Sequence, residues 1–164
     1  LKAPELDDPV QQRAAHARFA EHGIEAASLE LEGSSPRSEY LAAYRKVDIA
    51  LDPFPYPGGT TSVEGLWMGV PVLTLKGDRF ISHQGETILH NAGLADWIAQ
   101  DLDDYAARAA AFAGDPEALA ELRNGLRAQL LASPVCNAPH FARHFEGALR
   151  SMWRKWCGTA DKDK

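Results

Sequence analysis

Two adjacent hydroxyls, Thr60 and Thr61, follow two glycines, Gly58 and Gly59, at the head of a stretch with helical spacing. At a helix start several backbone N–H groups lack intrahelical partners and the dipole is positive. Hydroxyls placed there add donors that rotate onto phosphate oxygens, and glycines leave the approach open. Glu64, three and four residues further on, shares their helical face. A carboxylate there can accept both hydrogen bonds of a ribose diol, as acidic residues do in nucleotide-binding α/β domains. A second reading of the same residues stands beside this one. Thr61-Ser62-Val63-Glu64 fits a capping box, in which threonine and glutamate satisfy only each other's backbone.

The elements that must position these residues run from Val47 to Leu75. Val47–Leu51 is a short apolar run bounded by Asp52 and Pro53, which predicts a buried parallel strand. Pro53, Pro55, Pro57 and the two glycines make a stiff connection that cannot be helix. Thr60–Met68 is the predicted helix, with Gly69 placed to stop it in a left-handed cap, and Val72–Leu75 the next strand. A strand, glycine-rich turn, helix and strand bring a helix N-terminus beside the carboxyl end of a sheet.

Upstream, Asp8-Pro9 predicts the start of a helix over Val10–His22, Ala26–Leu31 alternates as a strand would, and a helix spans Arg37–Lys46. Downstream, Ser82–Ala92 predicts a helix, Trp97–Ala99 a short strand, and three further helices start at Asp101, Asp115-Pro116 and Asn137. The last is expected to run to about Trp156, leaving 158–164 as a polar tail. Alternating strands and helices followed by a helical segment argue for an α/β layered domain.

The 164 residues, net charge of −6 and ordinary apolar fraction describe one globular domain and argue against wholesale nucleic-acid binding. No apolar run has the length of a membrane span. Cys136 and Cys157, unpatterned, point to a reducing, cytoplasmic setting and no zinc cluster. The chain opens at Leu1-Lys2 without methionine, and we expect a piece of something larger.

Dinucleotide, P-loop and nucleophile-elbow fingerprints are missing. His140 and His144 have the spacing of two metal ligands on a helix, yet a zincin's adjacent glutamate and third ligand are not there. A surface or packing role is the better reading, and no metal site is assigned. Met152, Trp153 and Trp156 read as a core or interdomain packing stripe, with Arg143, Arg150, Arg154 and Lys155 as its solvated face.

The run LDPFPYPGGTTSVEGLWMGVPVLTLKG resembles the signature of O-GlcNAc transferase-like glycosyltransferases, which include bacterial tetratricopeptide-repeat proteins and Spindly-like enzymes. The likeness continues through GET-IL-NAGLADWIA, the Tyr105 helix, LRAQLLASPVCN and FARHFEGALRSMWRKW, essentially residues 1–157. It implies a GT-B enzyme of two Rossmann-like lobes, of which this chain is most of the C-terminal, nucleotide-sugar-binding lobe, with the final helix crossing back to brace the missing N-terminal lobe. The implied reaction is inverting, metal-independent transfer from UDP-GlcNAc to a protein Ser or Thr, without a cofactor. By the same resemblance, Thr60 and Thr61 contact the diphosphate and Glu64 stands where an acidic residue, commonly aspartate, holds the ribose. Gly59 replaces a histidine that some members place near the sugar nucleotide. Tyr40 falls where many have a histidine near the uridine, Arg37 where a lysine can occur, and His83 where arginine often follows serine. Lys76 reads as a solvated loop lysine. No catalytic base is identifiable, and the fragment alone is expected to be inactive. The rivals are a GDP-fucose donor, as in Spindly-like members, and a binding module that keeps the fold without catalysis.

Overall fold

Asp8 and Pro9 open the first helix in the manner that their types dictate. In the computed structural model, which describes residues 1–160, the Asp8 carboxylate accepts the Val10 N–H at 2.8 Å and Pro9 is the first helical residue of α1 (Pro9–Ala20). Gly23, at φ +77°, ends that segment in the left-handed region. The strand expected over Ala26–Leu31 is not formed. Ala26–Ser28 is a 3-10 turn, and pairing begins only at Glu32, which forms a single parallel bridge with Lys2. Small Ala and Ser side chains give the earlier residues little to pack on a pleated surface. Only the later ones meet the N-terminal segment, through Ala3 N–H to Glu32 O at 3.0 Å and Glu32 N–H to Leu1 O at 2.8 Å. After Ser35-Pro36, α2 (Arg37–Ala43) completes this first unit, Leu1–Ala43.

The second unit begins at Tyr44 and carries the sheet. Its elements are β1 (Ala50–Leu51), α3 (Thr60–Trp67), β2 (Val72–Leu75), α4 (Gln84–Asn91), β3 (Ile98–Ala99), α5 (Leu102–Ala113), α6 (Pro116–Ala132) and α7 (Ala138–Ala160). The three strands are parallel in the order β1-β2-β3, with Ala50 beside Val72 and Thr74 beside Ile98. This is the Rossmann-like α/β arrangement that the alternation predicts, ending in helices. β1 is shorter and more open than expected: at the sheet's edge, Leu51 is 58 % exposed rather than buried.

Leu66, Val72, Leu73, Leu89, Trp97, Ile98, Leu126 and Leu130 form one core. Asp101 and Asp115 cap α5 and α6 by accepting the Asp104 and Ala118 N–H groups. Gly69 takes φ +78° and closes α3, whose last carbonyls receive arginines from α6. Arg127 Nε donates to Trp67 O at 2.6 Å and Arg123 Nε to Gly69 O at 3.2 Å, cations at the negative end of the α3 dipole. Arg123 also pairs with Asp48. α3 is thereby held at its C-terminal end, and its N-terminal end faces the carboxyl ends of β1 and β2. α7 continues to Ala160, past the expected stop at Trp156, and the remainder of the expected tail, 161–164, lies outside the described residues.

Candidate functional site

The loop between β1 and α3 is fixed from beneath by Asp52. This carboxylate, 5 % exposed, accepts the Gly58 N–H at 2.6 Å, the Thr74 hydroxyl of β2 at 2.9 Å and the Ser62 hydroxyl of α3 at 3.4 Å. Burial pushes its pKa above the ordinary aspartate value, against those three hydrogen bonds. Gly85 of α4 closes the pocket: a Cβ there would lie 2.2 Å from Thr74 Oγ1 and 2.8 Å from Asp52 Oδ2. Two further side chains tie the loop's backbone. Ser82 Oγ donates to Pro55 O at 2.9 Å, and the Tyr105 hydroxyl donates to Asp52 O at 3.0 Å. The Tyr105 ring meets Phe54 edge-on at 5.7 Å, and burial raises its phenol pKa to about 12.

On that base sits the start of α3. Its N-cap is Gly59, at φ −109° and ψ −84°, and no side chain caps the helix. Thr60 and Thr61 are therefore the first two helical residues, both exposed. The capping-box reading does not hold, because Thr61 lies inside the helix and Glu64 falls in its second turn. The first bond of the helix runs from Val63 N–H to Gly59 O at 3.2 Å, so the N–H groups of Thr60, Thr61 and Ser62 precede the helical ladder. The Tyr44 hydroxyl donates to Thr61 O at 3.2 Å from the side. A Cβ at Gly58 would stand 2.5 Å from Thr61 Oγ1, and one at Gly59 would stand 2.5 Å from Gln84 Nε2. Glycine at both positions lets the hydroxyl and the carboxamide close around the turn.

Gly59, Thr60, Thr61 and Glu64 thus share one helix start in the second unit, with Glu64 half-buried. Arg37 and Tyr40 are together in the first unit, one turn apart on α2, the guanidinium 5.7 Å from the ring centroid. Beyond β2, Lys76 is the exposed loop lysine expected, and it also has an acidic partner. Its Nζ lies 2.9 Å from Glu86 Oε1, and the other Glu86 oxygen lies 2.5 Å from His83 Nδ1. These contacts, the His83 bond first and the Lys76 bond second, hold the Glu86 carboxyl below its ordinary value. Asp52, Gln84 and Glu86 escape a reading of local sequence. Only Asp52 leaves a trace there, as a charged residue ending an apolar run before a Pro/Gly turn.

A parallel α/β crossover with an uncapped helix N-terminus at the strands' carboxyl ends defines a domain of the kind that seats anionic, nucleotide-like ligands. The family is narrower: the model for glycosyl transferase family 41 matches residues 6–145, and this chain belongs to that family. Among its relatives is the probable UDP-N-acetylglucosamine–peptide N-acetylglucosaminyltransferase SPINDLY of Arabidopsis thaliana, 42 % identical over 119 residues. The aligned part is 73 % of this chain and 13 % of that protein, and SPINDLY of Hordeum vulgare gives the same figures. A solved structure of a mutant O-GlcNAc transferase from Thermobaculum terrenum superposes with a TM-score of 0.91 at 38 % identity, over 98 % of this chain and 31 % of that one. The chain therefore spans about 13 % of the length of the curated relatives it matches.

Proposed function

We propose that this chain is the nucleotide-sugar-binding lobe of an inverting, metal-independent protein O-glycosyltransferase that transfers GlcNAc from UDP-GlcNAc to Ser or Thr. The observation that carries the reading is the α3 start: an N-terminus without a side-chain cap, with Thr60 and Thr61 exposed and glycines at 58 and 59 letting Thr61 and Gln84 pack against the turn, in a chain of family 41. In this reading Thr60, Thr61 and the first N–H groups of α3 hold the diphosphate, and Glu64 takes the ribose. By the resemblance alone, Tyr40 and Arg37 are proposed as contacts to the nucleotide base, and the N-terminal lobe and the protein acceptor complete the enzyme.

The chemistry follows from charge. As the glycosidic bond breaks, negative charge grows on the leaving diphosphate, and donors already aimed there stabilise it more in the transition state than in the ground state. Each such donor is worth about 3 kcal/mol where its removal has been measured in other enzymes. Asp52 supplies the preorganisation, since it fixes Gly58 and Ser62 on either side of the two threonines. A reducing, cytoplasmic setting is part of the same proposal.

A second reading, a GDP-linked donor, draws on Tyr40, a tyrosine where the resemblance places a histidine. Titration calorimetry of the chain with UDP and GDP tests both. Binding of UDP at least tenfold tighter than GDP is expected. Preference for GDP would replace the first reading by the second, and no heat with either nucleotide would remove the donor site.

A further inference from the structure

Asn137 opens α7 by accepting the His140 N–H at 3.0 Å, which sets the first turn of that helix and with it the direction of two imidazoles. His140 and His144 are exposed, one turn apart, with ring centroids 4.3 Å apart and tilted by 47°. Their Nε2 atoms converge to 3.1 Å. Two nitrogens each about 2.0–2.1 Å from one ion, at an angle between square and tetrahedral, stand about 2.9–3.4 Å apart. The spacing found falls within the bite of a shared metal. Without the ion the same geometry accommodates one N–H···N bond, in which one neutral ring donates to the other.

We propose that His140 and His144 form a two-imidazole binding site for a borderline divalent transition-metal ion of the zinc, nickel or copper(II) class. Imidazole suits those ions over magnesium or calcium, which prefer oxygen ligands. The site opens onto the groove that Thr87 and Asn91 of α4 form with Cys136 and Phe141. Among the described residues no three His, Cys, Asp or Glu side chains converge, so the remaining coordination positions belong to water. The ion is then an exchangeable ligand and stands apart from the donor chemistry at α3. Because both ligands lie on consecutive turns, it binds only the helical form of this segment and stabilises it.

Calorimetric titration of the full chain with Ni²⁺, in a Cys136→Ser/Cys157→Ser background that removes thiol binding, tests this. One ion per chain is expected. His140→Ala and His144→Ala should each weaken binding at least tenfold, and His90→Ala, a solitary exposed imidazole on α4, should leave it unchanged. The discriminating variant is His144→Ala combined with Phe145→His, which keeps the number of imidazoles but turns one off the shared face. It should bind as weakly as His144→Ala, with an unchanged far-ultraviolet spectrum. Equal affinity in that variant, or no uptake by the unsubstituted pair, would overturn the site.

Discussion

The start of α3 and the apolar face of α7 are built in opposite ways. α3 is eight residues long, and almost every group around it is accounted for within the second unit. Asp52 holds its approach, Arg123 and Arg127 hold its end, and Leu66 lies in the core at 0 % exposure. α7 has 23 residues and one apolar stripe of Phe141, Phe145, Leu149, Met152, Trp153 and Trp156, all of which stay exposed. The stripe expected as core or interdomain packing is thus not core of this chain. The difference separates two sources of order. The candidate diphosphate seat is preorganised by this chain's own buried polar bonds, so its geometry does not wait for a ligand. The α7 face holds apolar surface that contributes little to the stability of the isolated chain.

Breaking that contrast takes a paired measurement, which also has the largest expected effect. Leu66→Ala should cost about 2–5 kcal/mol in urea unfolding, from lost transfer energy and the cavity left in the core. Trp153→Ala, at a position 66 % exposed, should change stability by less than about 0.5 kcal/mol despite deleting a larger side chain. Comparable losses from the two would mean that the α7 stripe is covered in solution and that the contrast is wrong.

Local chemistry was the part of this fold legible in sequence. Asp8-Pro9, Asp101 and Asp115-Pro116 start helices because a side-chain acceptor and a fixed φ act within one turn. Gly69 ends α3 for an equally local reason. Readings failed where the deciding partner is distant in sequence. The alternation at Ala26–Leu31 resembles a strand, but the N-terminal segment meets the chain only from Glu30 onward, where the Leu1 amino group donates to Glu30 O at 2.6 Å and Lys2 bridges Glu32. Thr61 and Glu64 match a capping box in spacing, yet the helix begins two residues earlier. The carboxylate of Asp52 holds the Gly58 N–H six residues away, and Gly59 takes the cap position. Lys76 is exposed as expected, but its pairing with Glu86, which stands across a loop, lies beyond any local window. At the candidate site the helix start was legible from Gly58 to Glu64, while the buried base under it, Asp52 with Thr74 and Gly85, depends on strand pairing that no local window contains.

The same point sharpens into a second prediction, of intermediate size. With Gly59 as N-cap, the Thr61 hydroxyl has no capping bond to lose. Thr61→Val should therefore leave the unfolding free energy within about 0.5 kcal/mol of wild type. It should weaken UDP binding by about tenfold, the usual scale of one hydrogen bond to a charged group. The opposite pattern, a loss of about 1 kcal/mol in stability with UDP affinity intact, would restore the capping role.

The smallest effect expected concerns pH and probes the base of the site directly. Burial raises the Asp52 pKa above its ordinary value of 3.8, so the folded chain keeps that proton to a higher pH than the unfolded chain does. Stability gained from the protonated carboxyl is complete below the unfolded value and is lost as pH rises through the raised folded value. Asp52→Asn has no such titration, and its amide can still accept from Gly58 through oxygen while the Thr74 hydroxyl turns to accept. The difference in unfolding free energy between the two proteins should thus favour wild type most at the acid end and shrink toward neutral pH. Urea titrations of both at pH 4 and pH 7 measure it. A difference that instead grows in favour of wild type toward pH 7 would mean that hydrogen bonding to the carboxylate outweighs its desolvation, and that the loop is held by an ionised Asp52 at an energetic gain.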